Sequence, residues 1–137
     1  MAVKITYVIP SMKNHPRISE AEWKVMKVVW SLGPSFSEQI IESLSDTEPP
    51  WHPKTVKAFL NRLVKKKALA FRKEGRAYLY WPLVAEKDCM DVASDSFLST
   101  VFGGSLKPML AHFVEQKKLS NEEIRELRRL LKDKPND

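Results

Sequence analysis

One cysteine, Cys89, is all the thiol chemistry in these 137 residues. An intramolecular disulfide is therefore excluded, which fits a reducing compartment, and a lone cysteine reads as a small half-buried apolar residue rather than a sensor. No apolar run approaches the roughly 20 residues that a membrane-spanning helix needs. The opening Met1 to Pro10 lacks a long apolar stretch and a small-residue cleavage site, so no signal peptide is expected; the expected location is the cytoplasm. The three histidines, His15, His52 and His112, stand far apart with no cysteine or carboxylate at ligand spacing, so no metal and no cofactor is expected. Neither a Gly-rich phosphate loop nor a nucleophile–base pair is visible, which argues against an enzyme. Trp23, Trp30, Tyr78 and Tyr80 fall where core and strand packing would place them, not as base-stacking platforms.

Acid is scarce in one part of the chain only. Residues 1–84 carry 14 Lys/Arg and 7 Asp/Glu, a net of +7, whereas residues 85–137 carry 9 and 10, a net of −1. The basic excess peaks in residues 53–76, where nine Lys or Arg face one acid, Glu74. Apolar residues are interleaved with these cations at helical spacing, so one face can enter a core while the other meets a polyanion. That distribution favours a phosphate-bearing partner for the first part and a different role for the second.

The local signals give an order of elements. Residues 1–18 are a lead-in in which Val3, Ile5, Tyr7 and Ile9 alternate, as an added strand or an unstructured arm would. Ser19 and Glu22 form a Ser-x-x-Glu capping box, with Ile18 and Trp23 as a hydrophobic staple, and Val25, Met26, Val29 and Trp30 continue an apolar stripe to Gly33-Pro34. A second helix is expected from about Ser35, with Glu38 three residues on, through Ile40, Ile41 and Leu44. Pro49 and Pro50 prevent its continuation. A third helix opens on Pro53, where a missing N–H costs nothing. Val56, Phe59, Leu60, Leu63 and Val64 trace its core face, and Lys54, Thr55, Lys57, Ala58, Asn61 and Arg62 fall around the opposite side. Leu69 to Lys73 and Ala77 to Leu83 then alternate around Glu74-Gly75-Arg76, a hairpin signal. Helix, helix, basic helix and hairpin is the order of a winged helix-turn-helix.

Residues 85–137 differ in kind. A helical pattern from about Ala85 includes Phe97, Val101 and Phe102 and ends at Gly103-Gly104. A short apolar helix with Leu110 and Phe113 follows. The last helix has a third capping box, Ser120 and Glu123, and an apolar stripe through Ile124, Leu127 and Leu131. Three short amphipathic helices have few elements to bury these faces against, so pairing with a second copy of the chain is expected. The alternative is that they fold back on the first domain. The fold class is thus mainly α with a small β-hairpin. The expected domains are a lead-in (1–18), a winged-helix DNA-binding domain (19–84) and a helical dimerisation domain (85–137).

Ile18-Ser-Glu-Ala-Glu-Trp-Lys-Val-Met-Lys-Val-Val-Trp, Pro53-Lys-Thr-Val, Arg62-Leu-Val-Lys-Lys and Leu119-Ser-Asn-Glu-Glu-Ile-Arg-Glu-Leu-Arg together resemble the penicillinase-repressor (BlaI/MecI/CopY) family over roughly residues 18–132. The resemblance implies a homodimeric winged-helix repressor acting on double-stranded operator DNA with palindromic half-sites. It implies that Lys54, Thr55, Lys57, Ala58, Asn61 and Arg62 form the recognition surface, with Arg72, Lys73 and Arg76 on the wing. The chemistry agrees: Arg62 or Asn61 suits a base edge, Thr55 a phosphate at the helix N-terminus, and Ala58 a thymine methyl. The alternative is a winged helix used as a protein-interaction module, its basic face docking an acidic partner. Three departures stand out. The lead-in before Ser19 is longer than the resemblance implies. The tail lacks the Cys-x-Cys pairs of the copper-responsive branch. Relatives induced by β-lactams are cut by a sensor protease at an Asn-Phe bond, where this sequence has His112-Phe113, so regulation by that protease is in doubt here.

Overall fold

The computed structural model describes Tyr7, Ile9 and residues 15–134. Val3 and Ile5, and with them most of the strand considered for the lead-in, lie outside the described residues. The chain divides into two compact units, Met1–Ala93 and Ser94–Asp137.

In the first unit, α1 (Glu20–Leu32) begins on the expected capping box: Ser19 Oγ accepts from the Glu22 N–H and the Glu22 carboxylate accepts from the Ser19 N–H at 2.8 Å. Gly33, at φ +73, ends it with an N–H to the Val29 carbonyl. The second helix departs from expectation. Ser35 and Phe36 form a two-residue strand, β1, and helix α2 runs Ser37–Ser45. The physical reason lies at Phe36, whose N–H donates to Gln39 Oε1 at 2.7 Å. Gln39, not Glu38, therefore caps the helix, and Ser35 stays extended to pair with Tyr80.

Helix α3 (Pro53–Lys65) has Pro53 at its first position and His52 as N-cap, whose Nδ1 accepts from the Lys54 N–H at 3.1 Å. Strands β2 (Leu69–Glu74) and β3 (Ala77–Pro82) form the expected hairpin across Gly75-Arg76. Gly75 takes φ +62 at the first central position, as a type II′ turn demands. The hairpin is part of a three-stranded antiparallel sheet in the order β1-β3-β2, one strand more than the sequence signals. The result is a winged helix-turn-helix. Its core joins Val25, Met26 and Val29 of α1 to Ile40 and Leu44 of α2, Val56, Leu60 and Leu63 of α3, and Leu69 and Tyr80 of the sheet. Each fully buried aliphatic side chain contributes about 1.5–3 kcal/mol relative to exposure.

One polar contact sits inside this frame. Glu22, read from sequence only as a cap, is fully buried, and its Oε1 accepts from Lys66 Nζ at 2.6 Å. Lys66 also donates to the Arg17 carbonyl, so the C-terminus of α3 is tied to the chain just before α1. Lys66 is thereby a structural cation, although it belongs to the basic run.

Helix α4 (Glu86–Phe102) opens in the first unit, where Cys89 is buried and its thiol is pushed up to about 11, first by burial and then by Asp88. The second unit holds the C-terminal part of α4, α5 (Leu106–Glu115) and α6 (Asn121–Lys132). The Ser120–Glu123 capping box is present as expected. No described residue between 94 and 134 is buried.

Candidate nucleic-acid interface

The amphipathic pattern of α3 separates its residues cleanly. Val56, Leu60 and Leu63 are buried, Phe59 and Val64 half-buried, and Lys54, Thr55, Lys57, Ala58, Asn61 and Arg62 all exposed. The six candidate recognition residues thus share the solvent side of one helix. Arg72 and Lys73 are exposed on β2 and Arg76 is exposed in the turn.

The fold brings some of these together and leaves others apart. A groove of about 510 Å³ between α2, α3 and the wing is lined by Lys57, Asn61 and Arg76 with Glu38, Phe71 and Tyr78. Lys57 and Arg76, 19 positions apart in sequence, become two sides of one depression. Arg72 is exposed but its Nε also pairs with Glu74 along the strand. Among the described residues Lys54, Lys57, Arg62, Lys73 and Arg76 have no ion-pair partner. Unpaired cations on one face keep their field for a polyanion.

Arg62 has a different kind of neighbour. Its guanidinium carbon lies 4.9 Å from the centre of the Phe59 ring, a cation–π contact. Phe59 in turn lies 5.3 Å, centre to centre, from Trp51 in the loop before α3. Sequence reasoning missed this support, because Trp51 sits outside the helix whose periodicity was informative. It also missed the aromatic wall of the groove. Tyr80 is buried as packing requires, but Tyr78 and Phe71 are 41% and 48% exposed, with ring centres 5.8 Å apart. The alternation of β3 puts Tyr78 and Tyr80 on one face, and only the distance from the core distinguishes them.

A model of the family described as penicillinase repressor matches residues 18–133. The chain belongs to the penicillinase-repressor family. Its members are transcriptional repressors, not enzymes. The penicillinase repressor of Bacillus licheniformis is 43% identical over 125 residues, covering 91% of this chain and 97% of that protein. The methicillin resistance regulatory protein MecI of Staphylococcus aureus strain N315 is 35% identical over 117 residues, covering 85% and 94%. The solution structure of the DNA binding domain of the repressor BlaI superimposes with a TM-score of 0.50 at 45% identity, covering 56% of this chain and 93% of that one. The penicillinase-repressor match spans both units, and the BlaI match supports the winged-helix assignment of the first. Among the described residues no group of three His, Cys, Asp or Glu could hold a metal, and no helix is long and apolar enough to cross a membrane.

Proposed function

We propose that this chain is a cytoplasmic repressor that binds a palindromic operator as a homodimer and blocks promoter access. In this reading residues 19–84 form the DNA-binding domain and residues 85–137 the dimerisation domain. Helix α3 lies in the major groove with Asn61 and Arg62 toward base edges, Ala58 toward a thymine methyl, and Lys54, Thr55 and Lys57 toward phosphates. Arg72, Lys73 and Arg76 follow the backbone beside the wing. The observation that carries the reading is the exposed face of α3, polar or basic at every position but Ala58, whose cations Lys54, Lys57 and Arg62 have no acidic partner among the described residues.

Pairing through Phe97, Val101, Phe102, Leu110, Phe113, Ile124, Leu127 and Leu131 would join two recognition helices in one molecule, as a palindrome with half-sites about 34 Å apart, one turn of the duplex, requires. Support comes from their exposure: Phe97, Val101 and Leu131 are 47%, 56% and 59% exposed in the single chain. Phe102 lies 5.8 Å from Phe97 and 6.4 Å from Phe113, ring centre to ring centre, so part of the set already forms a cluster. Proteolytic release at an Asn-Phe bond is not part of the proposed mechanism, because His112 occupies the first of those positions, within α5.

Gel shift with promoter duplexes tests the reading. The Lys54→Glu, Lys57→Glu, Arg62→Glu triple variant is expected to bind roughly 100-fold more weakly, because each lost phosphate contact also removes released counterions. Absent or salt-insensitive binding of the unaltered protein to every promoter duplex would overturn it. Retained DNA binding by the triple variant, with loss of an acidic protein partner, would favour the docking-module alternative.

A further inference from the structure

Arg62 is a long, flexible side chain on a convex helix face, and a side chain of that kind reads a base edge well only if its plane is held before binding. The structure supplies a holder. Phe59 stands one turn back on α3 and offers its ring to the guanidinium at 4.9 Å. Phe59 is itself half-buried and backed by Trp51, with the two rings tilted at 57°.

Trp51 is fixed from the other side. Its backbone N–H donates to the Leu44 carbonyl at 3.1 Å, which anchors the chain at this position to the end of α2. Thr47 Oγ1 reaches the same carbonyl at 2.8 Å and the Pro49 carbonyl at 3.0 Å, so the loop is braced internally. Pro50 before Trp51 and Pro53 after His52 restrict the backbone further. The sequence from anchored loop to guanidinium is therefore Leu44, Trp51, Phe59, Arg62. Only the last member is fully on the exposed face.

We propose that Trp51 is a positioning residue for DNA reading: through Phe59 it fixes the plane in which Arg62 presents its donors to a base edge. This rests on the proposed function of α3. It adds a specificity determinant that does not itself face the duplex. Because the stack acts on one base-directed side chain and not on the phosphate-directed cations, its loss should lower discrimination and leave general attraction to DNA intact.

The experiment uses the full chain and two duplexes of equal length, one a promoter fragment bound by the unaltered protein and one of random sequence. Trp51→Leu is expected to weaken promoter binding by roughly three- to tenfold, the scale of a partly exposed cation–π contact plus its share of base discrimination. Binding to the random duplex and the salt dependence should not move. Trp51→Phe should restore most of the loss, and in an Arg62→Ala background Trp51→Leu should have no further effect. Equal loss on both duplexes, or an undiminished effect in the Arg62→Ala background, would overturn the proposal. An unaltered protein that does not distinguish the duplexes fails the DNA-reading proposal itself, and the positioning role falls with it. Should Trp51→Leu fail to fold, the unaltered protein still decides. The Arg62 side-chain methylene protons must show an upfield ring-current shift in the free state, and random-coil positions would exclude the stack.

Discussion

The two units of this chain are made from similar helices and similar caps, yet they differ in what they bury. Among the described residues, all 14 buried hydrophobic ones fall between Val25 and Cys89. From residue 94 to 134 there are none, and Leu106, Val114, Leu130 and Leu131 are each half or more exposed. The first unit also carries the long-range polar ties: Glu22 to Lys66, and Trp30 Nε1 to the Val84 carbonyl at 2.9 Å. Among the described residues of the second, the side-chain hydrogen bonds are those of the Ser120–Glu123 cap, which any isolated helix could make. Good helix signals therefore do not imply a self-sufficient core. The first unit buries a core of its own, whereas the helices of the second leave their apolar stripes unburied by one another.

If a second copy covers those stripes, charge placed on α6 should act on assembly and not on the first unit. Leu127→Asp with Leu131→Asp is expected to raise the dimer dissociation constant at least about 100-fold, since each burial is worth about 1.5–3 kcal/mol and occurs in both copies. Sedimentation measures this. All four tryptophans, Trp23, Trp30, Trp51 and Trp81, lie in the first unit, so their fluorescence-detected melting should stay nearly constant in the monomeric variant. An unchanged dissociation constant, or a protein that is monomeric before substitution, would remove α6 from the interface and leave the contrast between the units without a cause.

The Glu22–Lys66 pair gives the next largest effect, confined to the first unit. Burial pushes the Glu22 carboxyl up, but hydrogen bonds from Lys66 and Ser19 outweigh it and hold the group below the ordinary carboxylate range. A folded-state value below the unfolded one means stability that is present above the usual carboxylate range and lost as pH falls through the folded value. Lys66→Met strands a carboxylate that is 0% exposed and should cost about 3 kcal/mol at neutral pH, at the lower end for a broken buried pair because Lys66 itself reaches solvent. Its deficit should shrink as pH falls through the carboxylate range, because the stranded Glu22 of the variant takes up a proton before the paired Glu22 of the unaltered protein does. Urea melts at several pH values measure it, and a deficit independent of pH would mean that the lysine stem, not its charge, does the stabilising.

What was legible in the sequence follows the reach of each interaction. The Ser19–Glu22 and Ser120–Glu123 boxes span three residues and were readable outright, as was Pro53 at the start of α3. The exposed face of α3 was readable too, because its six residues are defined by spacing within one helix. Strand β1 was not: Ser35 and Phe36 resemble a helix start until Tyr80 and Leu79, more than 40 positions away, are brought alongside. Glu22 with Lys66 and Trp51 with Phe59 were missed for the same reason, since no local period links them. Capping, periodicity and turn chemistry thus located the exposed basic face of α3, and the parts that hold it in place came only with the tertiary fold.

The smallest effect compares the units most directly, because the same motif closes a helix in each. At the end of α3, Lys67 N–H donates to the Val64 carbonyl and Ala68 N–H to the Leu63 carbonyl. At the end of α5, Lys117 donates to Val114 and Lys118 to Phe113 in the same pattern. Both are Schellman closures, and both put a lysine where glycine is favoured, at φ +65 for Lys67 and +54 for Lys117. A side chain in that region is strained by about 1 kcal/mol, partly offset because glycine loses more freedom on folding. Lys67→Gly is therefore expected to stabilise the first unit by about 0.5 kcal/mol, a rise of a few degrees in the tryptophan-detected melting temperature. Lys117→Gly removes the same strain where tryptophan fluorescence does not report, and that melting temperature should not change. Equal shifts from both substitutions would mean that the units melt as one, and the difference in burial would then have no thermodynamic counterpart.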